Sequence, residues 1–220
     1  MRKILAPTRF MLSSTRFRIS SNIKELEKSL CTNLDSEIKG EEFDVEREKY
    51  LTDFLEQHKW NLHSCETSTR LMLTKSEKGH SIKVMYDAKL PESANENEEE
   101  EQKEGDEQSQ NYTEFLVVVD KNKANKMLLD VIAVDGEINL NGMVISPNAD
   151  AIAEKKMPEL SPYNGPAFET LDEKLQTKIS KYMAGLGIDE ELVHFIEESA
   201  IHHEAKLYKN FLNEFKNFVE

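Results

Sequence analysis

Residues 113–146, TEFLVVVDKNKANKMLLDVIAVDGEINLNGMVIS, decide the fold class. Three apolar runs of strand length lie in this segment, at residues 115–119, 127–134 and 138–145. The first run is apolar on both faces, as in a central strand, and Asp135-Gly136 is a strong signal for a two-residue hairpin turn. Strands joined by connections this short pair antiparallel, whereas parallel strands need a long crossover. The segment therefore predicts three consecutive strands of an antiparallel meander, with Gly142 placed for a β-bulge.

The same strand pattern extends toward the N-terminus. Residues 70–73 (RLML) and 82–86 (IKVMY) predict two more strands around a glycine-containing turn. Trp60 and Leu62 alternate with polar neighbours and predict a strand before them. Downstream of the meander, prolines recur through residues 147–166, which predicts an extended connector.

Apolar residues at helical spacing predict helices before and after the strands in the sequence. The stripe of the first helix consists of Ile23, Leu26, Leu30, Leu34 and Ile38. A shorter helical patch follows at residues 50–55, and two helices end the chain, joined at residues 185–187. The last helix is capped by Asp189, and its stripe comprises Leu192, Phe195, Ile196, Ser199, His203, Leu207, Phe211, Phe215 and Phe218. The pattern predicts an α+β domain with the helices collected on one side of the sheet.

The far end of the last helix is unusually aromatic. Phe211, Phe215 and Phe218 lie on its stripe close to the C-terminus. Large aromatic side chains grouped at the end of a helix need a surface that buries them. The sheet and another subunit are the two candidates.

Residues 91–111, PESANENEEEEQKEGDEQSQN, contain no apolar side chain larger than alanine. This composition cannot bury enough apolar area to offset the entropy of ordering it, which predicts a disordered loop between adjacent strands. The candidate docking residues in the loop are Glu98, Glu99, Glu100, Glu101, Glu104, Asp106 and Glu107. We consider two interpretations: a solvated tether, and an electrostatic docking strip for basic proteins.

The formal net charge of −14 restricts the partners. It argues against direct, sequence-independent binding of nucleic acid, because neutralising phosphates needs a surplus of Lys and Arg. An acidic surface instead favours basic partners, or it serves solubility alone. Direct contact with RNA would need a local basic patch, for which Lys121, Lys123 and Lys126 are the clustered candidates.

Residues 1–20 are rich in Arg and Ser and contain no acid; the first acidic residue is Glu25. This composition is typical of a mitochondrial transit peptide and predicts a mature protein in the matrix. The alternative is a basic arm that the mature protein retains. Residues 21–220 are expected to form one domain, and no stretch has the length and apolarity expected of a membrane span.

Residues that carry chemistry are few. His202 and His203 are adjacent, and neighbouring positions on a helix point about 100° apart, so the two cannot share a metal ion. His63 and Cys65 would share a face if both lay in one strand, which leaves a thiol–imidazole pair as the nucleophilic alternative. We predict no cofactor, no metal site and no catalytic centre.

In combination, these parts resemble the mitochondrial acidic matrix protein family, also called the mitochondrial glycoprotein family, which includes the complement component-binding protein of animal mitochondria. The resemblance rests on the basic leader, the first helix, the Trp-led strands of residues 60–90, the acidic loop, and the paired strands of residues 113–134. It also rests on the C-terminal helices of residues 163–220. There the family pattern FL-x-x-(F/L)-K-x-F is filled by Phe211-Leu212, Phe215, Lys216 and Phe218.

The resemblance implies a bent antiparallel sheet of about seven strands, flanked by one N-terminal and two C-terminal helices, in a ring-shaped homotrimer. In the family, the first and last helices pack together at the subunit boundary. This assigns helix packing to Leu26, Leu30, Leu34, Leu207, Phe211, Phe215 and Phe218. A looser linker would be expected where residues 50–55 predict a helical patch.

The resemblance further implies a non-enzymatic, chaperone-like binding protein of the mitochondrial matrix that supports translation, ribosome assembly and respiratory function. Its expected clients are basic proteins, such as mitochondrial ribosomal proteins or gene-expression factors, and RNA is expected to be contacted only through them. One alternative is an RNA-associated regulator of mitochondrial gene expression, acting in RNA processing or translation. The other is an enzyme that uses Cys65 and His63.

Overall fold

The structure is a computed structural model that describes residues 23–88, 112–134, 136–155, 163 and 165–220. Within these ranges, six strands form one bent antiparallel sheet in which each strand pairs with its neighbours in sequence. The strands are β1 (Asn61–His63), β2 (Arg70–Glu77), β3 (His80–Asp87), β4 (Tyr112–Asp120), β5 (Lys126–Val134) and β6 (Glu137–Ser146). The predicted α+β fold and meander are confirmed, with six strands in the described ranges where about seven were expected.

Helices precede and follow the sheet in the described ranges. They are α1 (Ile23–Gly40), α2 (Val45–His58), α3 (Ala149–Ala153), α4 (Glu173–Gly185) and α5 (Glu190–Val219), with a 3₁₀ turn at Phe168–Thr170. The Asp44 side chain caps α2 by accepting from the backbone N–H groups of Glu46 and Arg47, and Asp189 caps α5 by accepting from Leu192. The helical patch predicted at residues 50–55 is therefore confirmed as part of α2, in place of a looser linker.

Tight turns set the strand register. In the β2–β3 hairpin, Lys78 and Gly79 both have positive φ, as a two-residue type I′ turn requires. In β6 the pairing shifts, so that Asp130 opposes Gly142 and Val131 opposes Leu140. Asn141 is therefore the extra residue of a β-bulge, one position before the glycine that the sequence suggested.

One face of the sheet packs against α2, α4 and α5. The strand residues at its centre have 1% or less of their surface exposed and are Leu71, Leu73, Ile82, Val84, Val117, Leu129, Val131 and Ala133. The aromatic rings of Phe54 on α2 and Phe195 on α5 stack there, with centroids 4.4 Å apart. This shared core fixes the helices on the sheet, since burying each large side chain contributes about 1.5–3 kcal/mol.

The other face of the sheet carries a second, smaller core. Met85, Val118, Leu128 and Val144 pack there against Ala149 and Ala153 of α3. This packing explains why β4 is apolar on both faces. This packing corrects the expectation of an extended connector over residues 147–166, because the connector begins with the short helix α3, whose Ala149 and Ala153 lie one turn apart and face the sheet. It also corrects the expectation that the helices collect on one side, since α3 lies on the face opposite to α2, α4 and α5.

Candidate docking surfaces

The acidic loop connects neighbouring strands. β3 and β4 pair antiparallel, with Met85 opposite Leu116, so the described residues on either side of the loop lie at the same end of the sheet. Residues 89–111 are outside the described residues, and the predicted docking residues Glu98, Glu99, Glu100, Glu101, Glu104, Asp106 and Glu107 are among them. The predicted transit peptide, residues 1–20, lies outside them as well.

The lysines proposed as an RNA-binding patch lie at the opposite end of the sheet, around the β4–β5 turn. Lys126 forms ion pairs with Asp120 at 3.1 Å and with Asp150 at 2.7 Å. Lys121 lies over the Tyr182 ring, 5.8 Å from its centroid. Two of the three lysines thus already interact with groups of this chain, which weakens the patch as a site for phosphates.

Asp150 joins α3 to the sheet. Its two carboxylate oxygens accept hydrogen bonds from Lys126 at 2.7 Å and from Lys83 at 2.6 Å. These hydrogen bonds hold the pKa of the Asp150 carboxyl below its usual range. These charges are half-buried and paired, so Lys83 and Lys126 are not free to bind a phosphate.

The first and last helices pack together within one chain, and the subunit boundary that the resemblance implied for them stays a prediction. Lys216 on α5 forms an ion pair with Asp35 on α1 at 2.8 Å, and Lys209 donates to the carbonyl oxygen of Glu41 at 3.0 Å. These two contacts show that the helices run antiparallel. When the register of these two contacts is extended along both helices, Leu30 lies opposite Glu220, and Leu26 lies beyond the end of α5.

The predicted packing residues of these helices differ widely in burial. Leu34 is 6% exposed, and Leu207 and Phe215 are half-buried. The remaining four are exposed: Leu26 (47%), Leu30 (36%), Phe211 (58%) and Phe218 (87%). Much of this apolar surface is therefore left uncovered by the described part of the chain.

The position of Leu212 explains why the predicted stripe of α5 does not stay buried. The stripe advances mainly in steps of four residues, each of which turns it by about 40° around the helix. Its first half, from Leu192 to His203, faces the sheet and is buried, whereas Phe211 has rotated away and Leu212 is buried instead. Phe211 and Phe218, in the second half of the predicted stripe, are therefore exposed, while Leu207 and Phe215 stay half-buried.

Sequence reasoning missed a cavity of about 520 Å³ between β6, the 3₁₀ turn, α4 and the start of α5. Leu140, Met183 and Ile188 form buried parts of its wall, and Phe168 adds a half-buried aromatic ring. The first residues of α5, Asp189, Glu190 and Glu191, line it on one side. The acidic triplet at residues 189–191 is visible in the sequence, but the sequence pattern does not predict that this triplet borders an apolar cavity.

The histidines of α5 have structural roles. His203 Nε2 lies 2.9 Å from the carbonyl oxygen of Ser68, and the His202 ring meets Phe43 edge-on at 6.0 Å. Burial, together with the nearby Lys206 charge, lowers the pKa of His202, which favours the neutral ring. The described ranges contain no group of three or more His, Cys, Asp or Glu side chains placed to hold a metal ion.

The premise of the thiol–imidazole pair was wrong. β1 ends at His63, so Cys65 lies in the following turn and not on the same strand face. His63 Nε2 interacts with the Thr74 hydroxyl at 2.9 Å, while Cys65 Sγ lies 3.4 Å from the Thr67 hydroxyl. The two side chains therefore have different partners.

Comparison with known proteins decides the family. The family model of the mitochondrial glycoproteins matches residues 34–219. This chain belongs to the mitochondrial glycoprotein family. The family is one of mitochondrial, non-enzymatic binding proteins, so membership supports an acidic mitochondrial binding protein as the general class.

Two solved structures share the family fold. One is a hypothetical protein from Leishmania major, of unknown function and described as a sequence homologue of human p32; it is 20% identical, with a TM-score of 0.64 over 89% of this chain and 99% of that one. The other is the p22 protein of Trypanosoma brucei, 16% identical, with a TM-score of 0.63 over 89% of this chain and 100% of that one. At these identities the likeness supports the fold. None of the helices in the described part of the chain is long and apolar enough to cross a bilayer.

Proposed function

We propose that this protein is a non-enzymatic, chaperone-like docking protein of the mitochondrial matrix that binds basic proteins. Its clients are mitochondrial ribosomal proteins or gene-expression factors, and through them it supports translation, ribosome assembly and respiratory function. Family membership supports the mitochondrial location and the binding role. The proposed mechanism needs no cofactor, because it depends on electrostatic attraction between an acidic surface and cationic clients.

The main support for the proposal is the position of the acidic run between two strands of the sheet. The Glu98–Glu101 run lies in a segment that joins two strands, β3 and β4, from the middle of the sheet. The core residues Val84 and Val117 of these strands are fully buried, so both ends of the segment are attached to a rigid support. Segments that connect strands supply binding residues more often than the strands themselves do, which supports a docking role for this acidic run.

The proposal includes a homotrimer, which the exposed apolar surface of α1 and α5 supports. Ile23 and Leu26 lie beyond the register of α5, and Phe211 and Phe218 face away from the chain's own core. A second copy of the chain would cover such side chains. Assembly into a ring would also bring three acidic loops onto one particle and raise the effective concentration of negative charge for a client.

The test is capture of basic proteins by full-length protein in which Glu98, Glu99, Glu100 and Glu101 are changed to Gln. Binding of purified mitochondrial ribosomal proteins should weaken strongly at low salt and lose most of its salt dependence. A matched control changes Glu25, Glu42, Glu46 and Glu214 to Gln, which removes the same charge from exposed helix and loop positions. Unchanged capture by the loop variant, or equal weakening by the control, would remove the loop from the mechanism.

The second candidate function is regulation of mitochondrial gene expression through RNA. The ion pairs of Lys126 and the contact of Lys121 with Tyr182 disfavour direct RNA binding. Filter binding with purified protein distinguishes the two candidates, since direct contact would retain RNA without any basic partner. We expect retention of RNA only when a basic protein is added.

A further inference from the structure

The cavity beside the start of α5 combines two chemical properties. Apart from Ser180 on α4, its walls are apolar: Ile138 and Leu140 come from β6, Phe168 from the 3₁₀ turn, Met183 from α4 and Ile188 from the α4–α5 joint. Its volume of about 520 Å³ is in the range of pockets that bind ligands of moderate size. A large apolar side chain such as Phe would be removed from water there.

The rim of the cavity is acidic. Asp189 uses its carboxylate to cap α5, accepting from the backbone N–H of Leu192 at 3.1 Å. Glu190 and Glu191 are exposed, and Glu191 lies 3.4 Å from His58 Nε2. None of the described residues that line the cavity is Lys or Arg. The rim therefore attracts a cationic group at the point where an apolar group enters.

We propose that this cavity takes the apolar anchor side chain of a basic client, with the Lys or Arg residues next to the anchor held by Glu190 and Glu191. This inference rests on the proposed docking function and adds a specific site to it. The acidic loop would attract any cationic chain, whereas the cavity selects those that carry an aromatic or large aliphatic residue among their positive charges. Recognition of this kind, a buried apolar anchor inside a charged rim, is the usual arrangement of protein interfaces.

Two other occupants fit the rim less well. An acidic or phosphorylated segment would be repelled by Glu190 and Glu191, and a neutral apolar segment would gain nothing from them. Charge complementarity therefore favours a basic peptide with an apolar anchor.

The experiment measures binding of two labelled peptides to the full-length protein by fluorescence anisotropy. The first, KRKSFSKRK, carries one Phe between basic clusters; the second, KRKSSSKRK, has the same charge and lacks the Phe. We expect the Phe peptide to bind about tenfold or more tightly, the factor that burial of one large apolar side chain provides. A third peptide, EDESFSEDE, is expected not to bind.

Variants then locate the binding site. Ala184→Trp places a large ring at the cavity from an exposed position on α4, and Ser180→Trp does the same from one turn earlier. Ala184→Ser is the matched control at the same position. The two Trp variants should bind both peptides with the affinity that the wild type shows for the Phe-free peptide, while Ala184→Ser should keep the preference. Far-UV circular dichroism confirms that each variant is folded.

A double variant, Glu190→Gln with Glu191→Gln, tests the role of the rim. The control double variant, Glu42→Gln with Glu214→Gln, removes the same charge at exposed positions elsewhere. The rim pair should lower the affinity for the Phe peptide several-fold more than the control pair does.

The outcomes separate this inference from the proposed function. Equal binding of both basic peptides, unaffected by either Trp variant, would overturn the cavity as a site and leave electrostatic docking intact. Failure of both basic peptides to bind at low salt would overturn the docking function and the cavity site together. Binding of the acidic Phe peptide as tightly as the basic one would overturn the assignment of a cationic client.

Discussion

The hydroxyl groups of Tyr86 on β3 and Ser199 on α5 lie 2.8 Å apart and form a buried hydrogen bond between the sheet and the long helix. The arrangement that pairs both hydroxyl protons has Ser199 donating to the carbonyl oxygen of Ile196 at 3.0 Å and Tyr86 donating to Ser199, and we assign this direction. Burial raises the pKa of the Tyr86 phenol well above its usual range, and it remains a donor at all ordinary pH values. The interaction joins two elements that are 113 residues apart in the chain.

This direction of donation predicts that the two partners are not equivalent. Ser199→Ala leaves the Tyr86 hydroxyl buried without an acceptor and should lower the free energy of unfolding by about 1–3 kcal/mol. Tyr86→Phe removes the unsatisfied donor along with the bond and should cost less, about 1 kcal/mol. Urea unfolding at a fixed protein concentration measures both values. A larger loss for Tyr86→Phe than for Ser199→Ala would contradict the assignment of the donor.

Asp150 should make the stability depend on pH in the acid range. Because its folded-state pKa lies below the usual value of about 3.9, its ion pairs contribute fully above that value and are lost as the pH falls through the folded-state pKa. Asp150→Asn should therefore cost about 1 kcal/mol at neutral pH, a modest value because the side chain is about one-third exposed.

The measurement is urea unfolding of the wild type and Asp150→Asn between pH 7 and pH 3. Their difference should be constant above about pH 5 and shrink below about pH 4. The exposed Asp53, changed to Asn, is the control and should show no such change. A difference between the wild type and Asp150→Asn that stays the same down to pH 3 would show that the lysine pairs do not stabilise the fold.

Assembly should depend on the exposed apolar surface of α1 and α5. Leu26→Glu combined with Phe211→Glu places charge on positions that are 47% and 58% exposed in the single chain. The chain should keep its helical circular dichroism but change from trimer to monomer, because a buried charge in a subunit interface is strongly unfavourable. Val45→Glu, at a position that is 76% exposed on α2, is the control.

Sedimentation velocity measures the mass of the assembly, which should fall threefold in the double variant. A wild type that is monomeric at micromolar concentration, or a double variant that remains trimeric, would contradict the proposed interface.

Cys65 should be the more reactive of the two cysteines without being needed for function. It is exposed whereas Cys31 is half-buried, and the hydrogen bond with Thr67 lowers the pKa of its thiol. Alkylation by iodoacetamide near neutral pH should modify Cys65 first, and Thr67→Val should slow that reaction. Peptide mass spectrometry over time gives both rates.

The same residue tests the enzymatic alternative. Cys65→Ala should bind basic clients as the wild type does, and loss of client binding in this variant would reopen a role for the thiol.

Local patterns allowed much of the fold to be predicted. Short apolar runs between turn signals identified β2 to β6, the Asp135-Gly136 turn marked the hairpin between β5 and β6, and Asp189 marked the start of α5. These features depend on neighbours within four residues, where the backbone period and the caps act. The short helix α3 was missed because its few residues become helical by packing Ala149 and Ala153 on the sheet, a tertiary effect that outweighs the surrounding prolines.

By itself, the sequence determined the class of the protein: an acidic chain, an antiparallel meander with helices before and after it, and a highly charged segment between two strands. Only the tertiary structure decided which surfaces are available. In it, Phe211 points away from the core, and Cys65 lies apart from His63. Lys126 forms ion pairs with two aspartates, and Glu190 lies beside an apolar cavity. The physical reason is that periodicity specifies which side of one element is apolar, whereas burial, ion pairing and cavities depend on the distances between elements far apart in the chain.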